Sequence, residues 1–328
     1  MSGIEHCALA GARAPVHLPD HMQESTFRFH ARDDAQVFVY RWLPQDKPAA
    51  AVHIVHGLAE HAARYRRLAQ ALTAARYAVY ASDLRGHGQT AHSAEEIGFF
   101  AESDGWCKCL DDLWQLNQII TAETSAVPII VLGHSMGATL ARQFIAEHGD
   151  ALSGAVLSGS SGQPTPLALS GRLVARAEKL RLGPRGKSAL IRSLTFDSFN
   201  KRFEPARTKF DWLSRDAAEV DKYAADPLCG FTASVQLWID LLDAWAEIAR
   251  SCDSISRQLP IYVISGSHDP VSAGTRMLQP MLDQYRAAGL RVKHKFYPEA
   301  RHELLNEINR EEVTRDLLDW ISQVLEKI

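Results

Sequence analysis

Cysteine is scarce in this chain: five in 328 residues, Cys7, Cys107, Cys109, Cys229 and Cys252, an odd number without regular spacing. That argues against a disulfide-stapled scaffold, and Cys107-x-Cys109 is too tight for the usual paired zinc ligands. Long apolar runs are missing as well, since none reaches the roughly 18 residues a membrane-crossing helix needs. The first twenty residues hold His6, Arg13, Pro15 and His17 and no apolar core, so no secretory leader is expected there. Positive charge is not in excess either. A net charge of −3 lowers the expectation of a nucleic-acid partner. Free thiols and no export signal point to a cytoplasmic protein.

What is present is an alternation of short apolar runs with longer helical patterns. Thr26–His30 and Val37–Leu43 read as a leading strand pair, followed by strands at Val52–His56, Ala78–Ser82, Pro128–Leu132, Ala155–Ser158, Ile261–Ser265 and Val292–Tyr297. The unbroken run Ile129-Ile130-Val131-Leu132 suits a strand buried on both faces. Helical patterns cover Arg64–Ala75, Asp111–Ala122, Met136–Glu147, Ala273–Ala288 and Arg310–Leu325. Such an order predicts an α/β fold with a mostly parallel sheet flanked by helices.

One stretch breaks the alternation. Residues 160–257 hold no convincing strand, only helical pieces parted by Pro and Gly. An insertion of this kind reads as a helical cap over the sheet's carboxyl edge, with the cap proper ending near residue 235. Residues 25–159 and 258–328 then form the core, and residues 1–24 a poorly ordered tail.

Gly133-His134-Ser135-Met136-Gly137 stands between the strand ending at Leu132 and the helix starting at Met136. This is the G-x-S-x-G pattern of a sharp strand-to-helix turn that exposes a serine hydroxyl. A turn so tight leaves no room for a Cβ at its flanks. It also sets the serine at a helix N-terminus, where free N–H groups and the helix dipole favour an anion. Ser135 is therefore the candidate nucleophile for acyl chemistry.

A serine hydroxyl needs a base and an acid that orients the base. In this architecture they follow in the order acid, then histidine, each just beyond a late strand. Asp269 lies at the tip of the strand Ile261–Ser265, and His302 in the loop after the last strand. The oxyanion hole needs two backbone donors: the N–H of Met136, and that of Leu58 in the loop His56-Gly57-Leu58-Ala59-Glu60 after the third strand. Gly57 is expected to permit the turn that aims the second donor.

His56-Gly57-Leu58-Ala59-Glu60-His61-Ala62-Ala63-Arg64-Tyr65 resembles the H-G-x-x-E-H-x-x-R-Y signature of monoacylglycerol lipases and bacterial lysophospholipases, which are α/β-hydrolases with a helical cap. Asp83-Leu84-Arg85-Gly86-His87-Gly88 resembles the family's next loop, and Gly133–Gly137 its elbow. The resemblance runs from about Thr26 to the C-terminus. It implies a Ser135–Asp269–His302 triad, an oxyanion hole of the Leu58 and Met136 amides, and a polar head-group site involving Glu60 and Arg64. Better-known members carry a second histidine three residues after the catalytic one, where this chain has Leu305. The expected substrates are small-molecule esters or single-chain lipids with an apolar acyl group. Acyl transfer, thioester or amide cleavage at the same triad, and a non-catalytic ligand-binding module, are the rival readings.

Other signals point elsewhere and are set aside. Gly86-His87-Gly88-Gln89-Thr90-Ala91 matches a dinucleotide fingerprint, but Gly98 interrupts the helix that should follow. His302-Glu303-Leu304-Leu305-Asn306 lacks the second histidine of a zinc-protease helix. No cofactor and no metal is called for, and no other His, Cys or Asp cluster has ligand spacing. Between Arg172 and Arg192 seven basic residues face one acid, Glu178. That segment, 172–192, is either a solvated helix face or a site of transient contact with anionic membrane. The aromatics Phe196, Phe199, Phe203, Phe210, Trp212 and Phe231 could line an acyl tunnel or hold the cap together, whereas Trp238 and Trp245 read as packing residues.

Overall fold

The computed structural model describes residues 22–164 and 166–328. The expected N-terminal tail thus falls, through residue 21, outside the described residues. The strand β1 already starts at Gln23.

Eight strands form one sheet: β1 (Gln23–His30), β2 (Gln36–Leu43), β3 (Ala50–Val55), β4 (Tyr77–Ser82), β5 (Ile129–His134), β6 (Gly154–Ser158), β7 (Pro260–Gly266) and β8 (Arg291–Tyr297). Their spatial order is β1-β2-β4-β3-β5-β6-β7-β8. Pairings from β4 through to β8 are parallel, and β1 and β2 add an antiparallel edge. This is the α/β-hydrolase fold.

The apolar run in β5 works as its composition requires. Ile129 and Val131 join the core on one face, and Ile130 and Leu132 the core on the other. Helices α2 (Gly105–Glu123), α3 (Met136–His148) and α9 (Leu278–Ala287) cover the first face. Helices α1 (Arg66–Ala74) and α10 (Arg310–Leu325) cover the second. A parallel sheet covered on both sides leaves its strand ends as the place for chemistry.

Helix α9 starts five residues later than the periodicity suggests. Ala273, Gly274 and Thr275 all have positive φ, so the chain there is a turn. The turn closes on Asp269, whose backbone carbonyl accepts the Gly274 N–H at 2.7 Å.

Between β6 and β7 lie α4 (Pro166–Leu182), α5 (Ala189–Leu194), α6 (Phe196–Asn200), α7 (Ala217–Ala225) and α8 (Val235–Ile248), with no strand among the described residues. Ser188, Asp216 and Ser234 cap α5, α7 and α8 by accepting backbone N–H groups. Helix α8 has two loyalties. Leu237, Ala244 and Ile248 enter the main core, while Val235 and Ile239 meet Ala175 of α4 and Ile191 of α5.

Candidate active site

Ser135 sits at the turn between β5 and α3 with φ 56° and ψ −118°. Strain of this kind in a non-glycine residue persists only where its surroundings dictate it. Gly137 is one reason the turn can close. A Cβ there would stand 2.1 Å from the Val55 carbonyl oxygen of the neighbouring strand. The Ser135 N–H donates to Ser158 O at 2.9 Å, which ties the elbow to β6.

Asp269 and His302 come together beside it. His302 Nδ1 lies 2.9 Å from Asp269 Oδ2, and both side chains are buried. A carboxylate can only accept, so Nδ1 carries the proton and Nε2 is left with a lone pair. The other carboxylate oxygen accepts the Val271 N–H at 2.9 Å. Burial on its own would lower the His302 pKa, but the Asp269 charge and hydrogen bond outweigh it and raise it above the ordinary value. Ser135 and His302 share the wall of one cavity. None of the hydrogen bonds among the described residues joins Ser135 Oγ to His302.

Leu58 and Met136 also face that cavity. The positive φ in the Leu58 loop falls on Ala59, at 60°, and not on Gly57 as the sequence suggests. Gly57 is needed for closeness instead: a Cβ would stand 3.1 Å from Ser135 Cβ and 2.9 Å from Glu60 Oε1. His56 steadies the same loop, a role its place in the motif does not reveal. Its Nε2 accepts the Leu84 N–H at 2.9 Å, so Nδ1 must be the donor to Gly57 O at 2.8 Å. Burial pushes the His56 pKa down to about 3, which keeps this tautomer neutral.

Glu60 lies on the cavity wall and Arg64 does not. Arg64 Nη1 reaches Glu60 Oε2 at 2.6 Å, and the same guanidinium forks onto Glu303 at 2.7 and 2.6 Å. Its plane also rests on the Tyr223 ring, 4.8 Å from the centroid. Glu60 further accepts from the Gly57 N–H at 2.6 Å and the Tyr65 hydroxyl at 3.0 Å. Burial opposes ionisation of both glutamates, yet Arg64 holds each carboxyl below its ordinary pKa. Sequence reasoning missed Glu303, which it treated only as part of a failed zinc motif. Its position directly after His302 was the available signal.

The cavity measures about 510 Å³, an ordinary size for a small-molecule site. Away from Ser135 its wall is apolar, with Val174, Ile191, Phe196, Phe199, Trp238 and Leu242 among the lining residues. Of the aromatics in question, Phe196, Phe199 and Trp212 line it, and Phe203, Phe210 and Phe231 do not. Trp238 and Trp245, expected to be packing residues, line it as well, because the cavity opens along that flank of α8.

The cap reaches the His302 loop through the backbone. Glu303 N donates to Leu213 O at 2.8 Å, and Ser214 Oγ to Asn306 O at 2.8 Å. Buried Glu307 accepts the Arg301 and Arg215 N–H groups at 2.9 and 3.1 Å. The Trp212 ring stands 5.1 Å from the His302 ring.

The basic cap segment is less charged than its sequence implies. Arg172 and Arg176 pair with Asp243, Arg181 with Glu178, Arg185 with Glu102 and Arg192 with Asp197. Among the described residues no helix is long and apolar enough to cross a membrane.

Residues 46–309 match the family described as serine aminopeptidase S33 (Hydrolase_4). The chain belongs to this family. It is 31% identical to a monoacylglycerol lipase of Mycolicibacterium smegmatis over 285 residues, covering 85% of this chain and 90% of the relative. With the monoglyceride lipase of Rattus norvegicus the identity is 28% over 309 residues, covering 91% and 94%. The crystal structure of a thermostable carboxyl esterase from Bacillus coagulans in complex with glycerol superposes with a TM-score of 0.84. Identity there is 27%, and the match covers 93% of this chain and 99% of that one. The chain is a carboxylic-ester hydrolase with the α/β-hydrolase fold.

Proposed function

We propose that the chain hydrolyses monoacylglycerols or similar neutral monoesters of apolar acids, through an acyl-enzyme on Ser135. The observation that carries this reading is the make-up of the cavity that Ser135 lines. Its far wall is apolar, its near end holds the carboxylates of Glu60 and Glu303, and no Lys or Arg stands among its described lining residues. An apolar chain gains roughly 0.8 kcal/mol for each methylene it buries there. Two ionised carboxylates welcome hydroxyl donors and repel a phosphate. Neutral glycerol esters are therefore favoured over lysophospholipids, and Glu60 with Glu303 forms the head-group end while Arg64 holds the pair in place.

In the proposed reaction the ester carbonyl lies against Ser135 with its oxygen toward the Leu58 and Met136 N–H groups. His302 Nε2 takes the Ser135 proton as Oγ attacks, a contact that tightens with substrate in place. Asp269 keeps the proton on Nδ1 and stabilises the imidazolium. The two amides stabilise the tetrahedral oxyanion, each worth on the order of 2.7–4 kcal/mol in the transition state. His302 returns its proton to the departing alcohol. Water activated by the same nitrogen then releases the acid.

The test pairs 1-monoacylglycerols with lysophosphatidic acids of the same acyl chains, using wild type and Ser135→Ala. Serine-dependent turnover greater on the glycerol esters is the expected result. Preference for the phosphate ester would overturn the neutral-head reading. An acceptor alcohol that raises product formation above the hydrolysis rate would move the assignment to acyl transfer.

A further inference from the structure

We propose that His61, Asp226 and Cys229 form a binding site for a thiophilic divalent cation of the zinc class, which joins the cap to the oxyanion loop. The three residues supply an imidazole, a carboxylate and a thiol whose ligand atoms all lie within 4.8 Å of one another. Among the described residues no other trio of His, Cys, Asp or Glu meets so closely. Zinc bonded at about 2.0–2.3 Å needs its ligand atoms roughly 3.3–3.8 Å apart, so the His61–Asp226 pair at 2.8 Å opens slightly while the Cys229 sulfur moves inward by up to about 1 Å. A water would fill the fourth position.

The ligands are held in a way that suits this. Asp226 and Cys229 belong to one tight turn, closed by the Cys229 N–H on Asp226 O at 3.0 Å. Asp226 Oδ1 accepts the Leu228 N–H at 2.9 Å, which leaves Oδ2 pointed at His61 Nε2, 2.8 Å away. Orientation of a ligating carboxylate by a backbone amide is the support metal sites usually have. His61 Nδ1 is buried and has no partner. A cation at Nε2 therefore displaces the His61–Asp226 hydrogen bond. On binding, the Cys229 thiol proton goes to solvent and the His61 proton moves from Nε2 to Nδ1, so one proton is released per cation.

The position gives the site a consequence. Gly230, next to Cys229, donates its N–H to Ala59 O at 2.9 Å, and Tyr223 donates its hydroxyl to the same oxygen at 2.7 Å. Ala59 is the strained residue beside Leu58. A cation that draws Cys229 toward His61 therefore pulls on the chain at Ala59 and His61, directly after the Leu58 N–H. This last step rests on the function proposed above, whereas the binding itself does not.

The experiment is a titration with Cd2+ that follows the thiolate-to-metal absorption in the near ultraviolet, with Zn2+ as competitor. Wild type should give a saturable band at one equivalent that Zn2+ removes. Cys107→Ser, which alters an exposed thiol, should keep the band, and Cys229→Ser should lose it. Zn2+ should also raise the unfolding midpoint of wild type and not of Cys229→Ser. No band in wild type, or an equal band in Cys229→Ser, overturns the site. Without metal, Cys229→Ser should turn over ester as wild type does, and Zn2+ should slow only wild type. Equal slowing of both would place the inhibiting ion elsewhere, at His302 for instance, and overturn the link to the oxyanion loop.

Discussion

Arg64 stands between Glu60 and Glu303, bonded to both at 2.6 Å and almost withdrawn from solvent. One cation serves two buried anions there. Burial works against both charges, and the Arg64 guanidinium holds each carboxyl below its ordinary pKa. Arg64→Ala leaves both charges uncompensated, and removal of one partner from a buried pair typically costs about 3–5 kcal/mol. Urea unfolding should show that loss. Arg64→Lys keeps the charge without the fork and should recover part of it. A destabilisation below about 1 kcal/mol, the scale of an exposed pair, would show that the network contributes little.

Glu303→Gln removes one of the two negative charges from the catalytic end. The ratio of monoacylglycerol to lysophosphatidic acid turnover should fall, through KM for the phosphate ester more than through kcat. An unchanged ratio in steady-state kinetics would take head-group selection away from Glu303.

Ser135→Ala and His302→Ala should each cost turnover by several powers of ten, with the double variant little worse than either. Members of such a unit do not contribute additively. Clearly additive losses in burst and steady-state assays would mean that the two side chains act separately.

The pH dependence of kcat/KM follows from the shift at His302. A general base works unprotonated, and Asp269 raises the His302 pKa above its ordinary value. The acidic limb should therefore have its midpoint above the usual histidine range near 6.5. Asp269→Asn should move that limb to lower pH and lower the plateau. For stability the sign is opposite to that of a buried carboxylate. Protonated His302 contributes fully below the unfolded value, and the contribution is lost as pH rises through the folded one.

Acid should unfold the protein for a separate reason. His53, fully buried on β3, is held neutral, with burial lowering its pKa to about 4, and His87 is lowered to about 3 in the same way. Groups depressed like this cost stability as pH falls below 6.5 toward those values, because the unfolded chain binds protons that the folded one refuses. His53→Leu should flatten the acid limb of a stability-against-pH curve measured by denaturant unfolding. A limb unchanged from wild type would remove His53 as a contributor.

Much of this architecture was legible because it depends on local pattern. The central strands announce themselves as short apolar runs, the edge strands β1 and β8 only as alternating ones, and the strand-to-helix switch at Ser135 is written in two glycines. Asp269 and His302 were legible by order along the chain, since each follows a late strand. Long-range pairings were not. Asp226 meets His61 across 165 residues, and Arg64 meets Glu303 across 239, separations that no spacing rule covers. The Trp238 and Trp245 rings have helical periodicity, which tells that a face is covered without saying whether by protein or by a cavity. At α9 periodicity overran the helix start, because three positive-φ residues wrap Asp269 in a turn that composition does not mark.

The hydrogen bonds that join the His302 loop to Leu213 and Ser214 carry a lesson for redesign. Trp212 borders the space an acyl chain would fill, and the next residue holds the loop of the proposed base. Chain-length preference and proton transfer are written on one short strip of backbone. A substitution that remodels the pocket near Trp212 also retunes the imidazole, so variants selected for a new fatty acid should arrive with altered pH profiles.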